Sequence, residues 1–234
     1  MLKLLNPYFF SKFTARLVPI LLCMLIVSLT FGLYQALIVS PADYQQGEMV
    51  RMMYIHVPAA WMSLTIYSFI AICSLVNLVW NTKLSYLLAI AAAVPGAAFA
   101  LITLVTGSLW GKPIWGAWWV WDARLTSMLI LLILYLSYLA VVNSGDNISR
   151  AEKPAAVIAL IGFINVPIVK FSVDIWYSLH QPASVLRLGS PTIHSSMLLP
   201  LMLMFISFVC YFLLILFIRT QILLNQLKLN RMLR

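Results

Sequence analysis

Apolar residues fall along this chain in six long runs separated by short polar segments. A hydrocarbon core about 30 Å thick needs roughly 20 apolar residues of helix to cross it. The runs therefore predict membrane spans at about 17–39, 57–80, 84–106, 125–142, 154–173 and 197–218. Residues 1–16 mix aromatic and basic side chains and read as a membrane-surface segment ahead of the first span. That first run is too long for a signal-peptide core, and no small-x-small cleavage site precedes Pro41, so it reads as a permanent anchor. Asn81 to Lys83 is so short a connection that the second and third spans should be antiparallel neighbours. Pro95-Gly96 predicts a kink in the third span, and Pro154 fits the first residue of the fifth. Polar connections fill residues 40–56, 143–153 and 174–196, and an unusual segment, 107–124, joins spans three and four. Neither an internal repeat nor a soluble domain is visible, so residues 1–234 read as one membrane domain.

Composition supports the same class. The chain is 63% hydrophobic and only 9% charged, with a mean hydropathy of +0.99, whereas soluble domains carry about 25% charged residues. Only helices and closed barrels satisfy their backbone hydrogen bonds in lipid, and no alternating strands are present to build a barrel. The fold class expected is all-α, a polytopic integral membrane protein with six transmembrane helices. The formal charge of +9 does not point to nucleic acid, because the basic residues lie singly at the ends of apolar runs. They set orientation instead. The side holding the termini carries Lys3, Lys12, Arg16, Lys83, Arg150, Lys153, Arg219, Lys228, Arg231 and Arg234; the other carries Arg51, Lys112, Arg124, Lys170 and Arg187. The N- and C-termini are thus expected in the cytoplasm, with 40–56, 107–124 and 174–196 on the outer face. Cys23, Cys73 and Cys210 fall inside spans without metal-ligand spacing and read as small packing residues.

Trp110 to Thr126, WGKPIWGAWWVWDARLT, holds five of the eight tryptophans. One or two would read as an interfacial aromatic belt. Trp110, Trp115, Trp118, Trp119 and Trp121, interleaved with Gly111, Pro113 and Gly116, also suit a flat π-rich shelf for a planar apolar ligand. Asp122 immediately precedes an apolar helical run, as an N-cap would. Arg124 either snorkels to the headgroups or serves as a carboxylate partner.

All three histidines fall on the side expected to face outward. His56 closes the loop before the shelf and His180 lies in the loop after it, near Trp176 and Tyr177. Each alone reads as structural. Together with the shelf they suit two axial ligands of one haem iron, since neutral imidazole is a common haem ligand. The outer basic residues Arg51, Lys112, Arg124 and Arg187 read either as scattered interface charges or as partners for two propionates. His194, close to the sixth span and without aromatic company, reads as structural. The chain has no Walker A loop and no CxxCH, so neither nucleotide hydrolysis nor covalent haem attachment of the c type is expected. The spans carry almost no buried charge, which weighs against an ion-coupled transporter. Nothing in the chain reads as an enzyme.

The run WG-x-P-x-WG-x-x-W-x-WD-x-RLT closely resembles the signature of the haem-handling WWD-domain membrane proteins, and the whole chain resembles the cytochrome c maturation protein C family. That resemblance implies binding of haem b, transiently, at the outer face of a bacterial inner membrane or of a mitochondrial inner membrane. It implies delivery of the haem to a periplasmic haem chaperone, alongside ABC-type ATPase and permease subunits and a small one-span accessory subunit in the lipid. By position, His56 and His180 match the axial pair, and Trp115, Trp118, Trp119, Trp121 and Asp122 match the signature core. Two other readings stay open: a haem-exporting permease subunit of an ABC transporter, and a b-type membrane cytochrome.

Overall fold

The computed structural model describes residues 6–144, 150–182, 184, 185, 187 and 189–233. Among them are six helical segments long and apolar enough to cross a membrane, and the only β pairing is an isolated bridge between Asp43 and Gly47. The chain is a polytopic all-α membrane protein.

The helices run further than hydropathy alone predicts, because local caps rather than apolar content decide where they stop. Helix α1 spans Pro7–Tyr34 and continues as a π-helical turn, Gln35–Val39. Asn6 caps it, its Oδ1 accepting the Tyr8 N–H at 2.9 Å, with Pro7 in the first helical position. Nothing between Pro7 and residue 17 breaks the helix, so residues 7–16 belong to it and not to a separate surface segment. Helix α2 spans Met53–Trp80 and is entered through a 3₁₀ turn, Glu48–Met52. It ends at Asn81, in the left-handed region with φ 50°, and the chain turns at once into α3, Lys83–Trp115.

Helix α3 passes through Pro95 and Gly96 without interruption and stops only at Gly116, whose φ of 76° suits glycine. The Gly116 N–H closes the end by donating to the Lys112 carbonyl at 3.0 Å. Helix α4 spans Ala123–Asn143. The fifth span is two helices, α5 (Glu152–Phe163) and α6 (Asn165–Ile175), meeting at Ile164. Pro167 has no N–H to offer the Phe163 carbonyl, which interrupts the ladder at that point. Pro154 is the third residue of α5, not the first, and loses nothing there because first-turn N–H groups have no helical partner. Helix α7 spans Ser195–Met232.

The core is centred on α3, where Ala89, Ala91, Ala92, Ala93 and Ala100 are fully buried. Small side chains let neighbouring helix backbones approach closely. The Tyr135 ring of α4 lies over Gly96, where any Cβ would overlap it, and its hydroxyl donates to the Ser63 carbonyl of α2 at 2.7 Å. One tyrosine thus ties α2, α3 and α4. Helix α1 packs chiefly on α7, with the Ser207 hydroxyl donating to Ser28 at 2.9 Å. Its outer face exposes Ile20, Ile26, Val27 and Phe31, as a lipid-facing helix should.

The two ends of the bundle differ. Phe10, Leu84, Leu87 and Leu224 pack together at the end nearer the termini. There the Asn77 amide donates to Glu152 at 2.7 Å and Lys83 pairs with the same carboxylate at 3.1 Å. At the opposite end Ala36, Val50, Met53, Tyr54 and Met197 form a smaller cluster, and beside it the bundle opens.

Candidate functional site

His56 stands in the first turn of α2, not in the preceding loop, and only 6% of it is exposed. The loop before it is fixed at two points. Asp43 Oδ1 accepts the Gln45 and Gln46 N–H groups at 2.9 and 2.8 Å, and Arg51 donates to the Ala36 carbonyl at 2.8 Å. His56 Nδ1 lies 3.1 Å from Thr106 Oγ1 on α3. The single Thr106 hydroxyl hydrogen is directed at the Ile102 carbonyl, 2.6 Å away. With the Thr106 hydrogen assigned to the Ile102 carbonyl, the hydroxyl offers His56 a lone pair and Nδ1 is assigned as the donor. That assigns the imidazole proton to Nδ1 and leaves the Nε2 lone pair free, which is the form a metal ligand needs. Gly107 makes room for the ring: a Cβ there would lie 2.9 Å from His56 Cε1.

His180 comes from the loop after α6. Its backbone N–H donates to Ser178 Oγ at 3.0 Å, and the Ser178 hydroxyl donates to Asp122 Oδ2. Asp122 Oδ1 accepts the Leu125 N–H at 2.8 Å and so caps α4. The His56 and His180 ring centroids are 6.0 Å apart with planes 26° from parallel. Trp110 meets His56 edge-on at 5.7 Å, and Trp115 meets His180 at 5.9 Å. Removal from water lowers the His180 pKa below its ordinary value, and the Arg124 guanidinium lowers it further; the backbone at Gln181 and the Asp122 carboxylate oppose this. The imidazole is thereby held neutral. Among the described residues neither its Nδ1 nor the buried Trp119 Nε1 has a hydrogen-bond partner, a condition that native structures rarely leave unanswered.

Both histidines line a cavity of about 890 Å³, at the upper end of the range for small-molecule and cofactor pockets. Trp110, Trp115, Trp119 and Arg124 line it as well, as does His194. Trp118 and Trp121 do not; they are 55% and 75% exposed. The tryptophans accordingly make no single flat shelf. Trp110 and Trp115 project from a helix, and Trp119 and Trp121 cross at 76°. Asp122 also stands outside the cavity wall and acts through the bonds just described. Arg124 donates to Ser172 Oγ at 2.8 Å and to the Lys170 carbonyl at 3.4 Å, and among the described residues it has no carboxylate within salt-bridge distance. Of the other cations at this end of the bundle, Arg51 pairs with Glu48, and Lys112 donates to the Gly116 carbonyl at 3.0 Å. Arg187 is not part of the cavity lining. His194 caps α7, its Nδ1 accepting the Ser196 N–H at 3.3 Å.

Sequence reasoning passed over Thr106, Gly107, Ser172 and Ser178. Only Ser178 carried a readable signal, because a serine two residues ahead can accept a backbone N–H locally. The others act on partners about fifty positions away.

Chemically, the arrangement offers two imidazoles lining one cavity, with tryptophan rings and, among the described residues, one guanidinium without a carboxylate partner. Among the described residues no group of three or more His, Cys, Asp or Glu side chains converges. Two imidazoles complete a metal whose other positions are filled by a planar ligand.

A family profile described as Heme exporter protein C matches residues 1–233. A protein of Bradyrhizobium diazoefficiens named Heme exporter protein C is 49% identical over 212 residues, covering 91% of this chain and 80% of that one. Its namesake in Escherichia coli strain K12 is 47% identical over 164 residues, 70% and 67% of the two chains. A Marchantia polymorpha protein named as ccmC-like, mitochondrial and of cytochrome c biosynthesis is 46% identical over 205 residues, 88% and 87% of the two chains.

Proposed function

The chain belongs to the Heme exporter protein C family, and on that premise we propose that it holds haem between His56 and His180 and presents it for delivery to a periplasmic haem chaperone. Haem handling in cytochrome c maturation follows from the family. The finer reading rests on one observation above all, the 6.0 Å approach of the two imidazoles inside a cavity large enough for a porphyrin.

The remaining features of the cavity suit the same cargo. Haem b is planar and apolar over most of its area, with two carboxylates at one edge. Trp110, Trp115 and Trp119 supply apolar area, and Arg124 supplies charge. Two of Arg124's five N–H donors are used on Ser172 and Lys170, which leaves three for a propionate. Both iron ligands lie at one end of the bundle, and one is on a loop. That placement favours a presenting protein over a cytochrome that conducts electrons across the bilayer. The excess of Lys and Arg at the opposite end supports cytoplasmic termini and a cavity opening at the outer face. In this reading the chain works in a bacterial inner membrane beside ABC-type ATPase and permease subunits and a small one-span subunit. The haem is cargo, bound transiently.

The test is the absorbance spectrum of the detergent-purified protein after hemin addition. Wild type is expected to give a low-spin, six-coordinate iron. His56→Ala and His180→Ala are expected to lose it, and His194→Ala, whose Nδ1 is occupied in capping α7, to keep it. Wild-type spectra in both of the first two variants would end the clamp reading. Haem accumulation in sealed vesicles that contain only this protein would favour an exporter instead.

A further inference from the structure

We propose that Ser178 is the positioning residue for His180, and that Asp122 serves the site through Ser178 and not by touching haem. This rests on the reading of His180 as an iron ligand.

His180 lies in a loop without helical support; α6 ends at Ile175, five positions earlier. A ligand on such a segment would need its backbone pinned, because bond formation to a metal tolerates little misplacement. The pin is specific. The Ser178 side chain accepts the His180 N–H at 3.0 Å while donating its own hydrogen to Asp122 Oδ2. Serine has one hydrogen to give, and giving it to a carboxylate makes a charge-assisted bond. Its lone pairs are then free for the His180 amide. The other Asp122 oxygen is engaged by Leu125 at the start of α4. One carboxylate therefore couples the first turn of a packed helix to the backbone of His180 through Ser178, 56 positions along the sequence.

The same geometry explains why Asp122 stands in the tryptophan signature without reaching the cavity. One of its oxygens accepts the Leu125 N–H in the α4 cap and the other accepts from Ser178, and the residue is outside the cavity lining. Among the described residues the His180 Nδ1 has no hydrogen-bond partner, and the backbone bond from His180 to Ser178 is a polar restraint on the residue.

Removing the Ser178 hydroxyl should weaken hemin binding by about 10- to 100-fold, the usual cost of losing an outer partner of a metal ligand. Threonine in place of Ser178 keeps a hydroxyl at the same position. The experiment uses the detergent-purified full chain with Ser178→Ala, Ser178→Thr, Asp122→Asn and the double variant Ser178→Ala/Asp122→Asn. Hemin titration reads affinity and spin state, and hydrogen exchange of the loop peptide carrying His180 is read without hemin. Expected are faster exchange and partial loss of the low-spin spectrum in Ser178→Ala. The spectrum should be restored by added imidazole, and Ser178→Thr should match wild type. The double variant should bind no more weakly than Ser178→Ala. Ser178→Ala with wild-type exchange and wild-type affinity would overturn the proposal, as would an additive double variant. If His180→Ala itself kept the six-coordinate spectrum, the reading of His180 as a ligand would fail instead, and the exchange result would still decide whether the pin exists.

Discussion

Gly107→Ala separates the site from the fold. Position 107 lies in α3 opposite His56, and a Cβ there would sit 2.9 Å from Cε1, 3.4 Å from Nδ1 and 3.9 Å from Nε2 of that ring. Ordinary contact between carbon atoms is about 3.5–4.0 Å, so the imidazole must retreat by roughly 0.6–1 Å. It has little freedom to do so, being 6% exposed, held at 3.1 Å by Thr106 and flanked by Trp110. The helix itself gains, because alanine is favoured over glycine in a helix interior by about 1 kcal/mol. Local overpacking costs about 1–3 kcal/mol. Stability should thus change little, while the distance and alignment between the two imidazoles are lost. We expect hemin affinity to fall by about 10- to 100-fold, with the thermal unfolding midpoint of the hemin-free protein within a few degrees of wild type. Both are read on one preparation, by Soret titration and by a melting curve. A variant that binds hemin like wild type with a low-spin spectrum would show that His56 is not a ligand in this geometry.

Three further outcomes follow from the same contacts. Thr106→Val keeps the side-chain shape but removes the acceptor for the His56 Nδ1–H, so hemin affinity should fall by about tenfold or more. Thr106→Ser should restore it, and equal binding by the valine variant would refute the tautomer assignment. Arg124→Gln should weaken hemin by about 10- to 100-fold, since hydrogen bonds to charged groups contribute about 1.5–3 kcal/mol. It should not weaken hemin dimethyl ester, and equal losses for both ligands would exclude a propionate contact. Trp119→Ala should reduce affinity by up to about tenfold through lost stacking, whereas Trp118→Ala, outside the cavity wall, should bind hemin as wild type does.

Hydropathy alone makes the six membrane-crossing segments legible, because lipid demands long apolar helices and nothing else in the chain competes. The ends of those helices are not legible in the same way. Asn6, Asn81, Gly116, Asp122 and His194 set them by capping or by left-handed backbone, and a polar residue within a helix looks like one outside it. The break at Ile164 was available in principle from Pro167. At the site, the Lys and Arg distribution groups the His56 and His180 segments at one end of the bundle, and the structure puts their rings together. Which tryptophans line the cavity could not be read from composition, since direction depends on where α3 stops. Thr106 and Ser178 act through hydrogen bonds to residues 50 and 56 positions away, and a single sequence carries no mark of such pairs.

The continuation of α3 past residue 106 is what turns an aromatic segment into a wall. Had the helix ended where its apolar run ends, Trp110 and Trp115 would belong to a loop and have no fixed direction. As a helix, the segment presents Thr103, Gly107, Trp110, Gly111 and Ile114 to the cavity, positions spaced by three and four that share one face. The two glycines on that face are not interchangeable with the large residues between them. Gly107 admits the His56 ring, and Gly111 admits the Trp115 ring, whose Cε3 would lie 2.9 Å from a Cβ there. The face thus alternates space and bulk at helical spacing. The same α3 that packs its alanines against α2 and α4 in the core carries this face into the opening, so the position of the site inherits the rigidity of the bundle. One residue inserted between Gly107 and Trp110 would rotate everything after it by about 100°. It would carry Trp110 away from His56 while leaving the alanine core untouched.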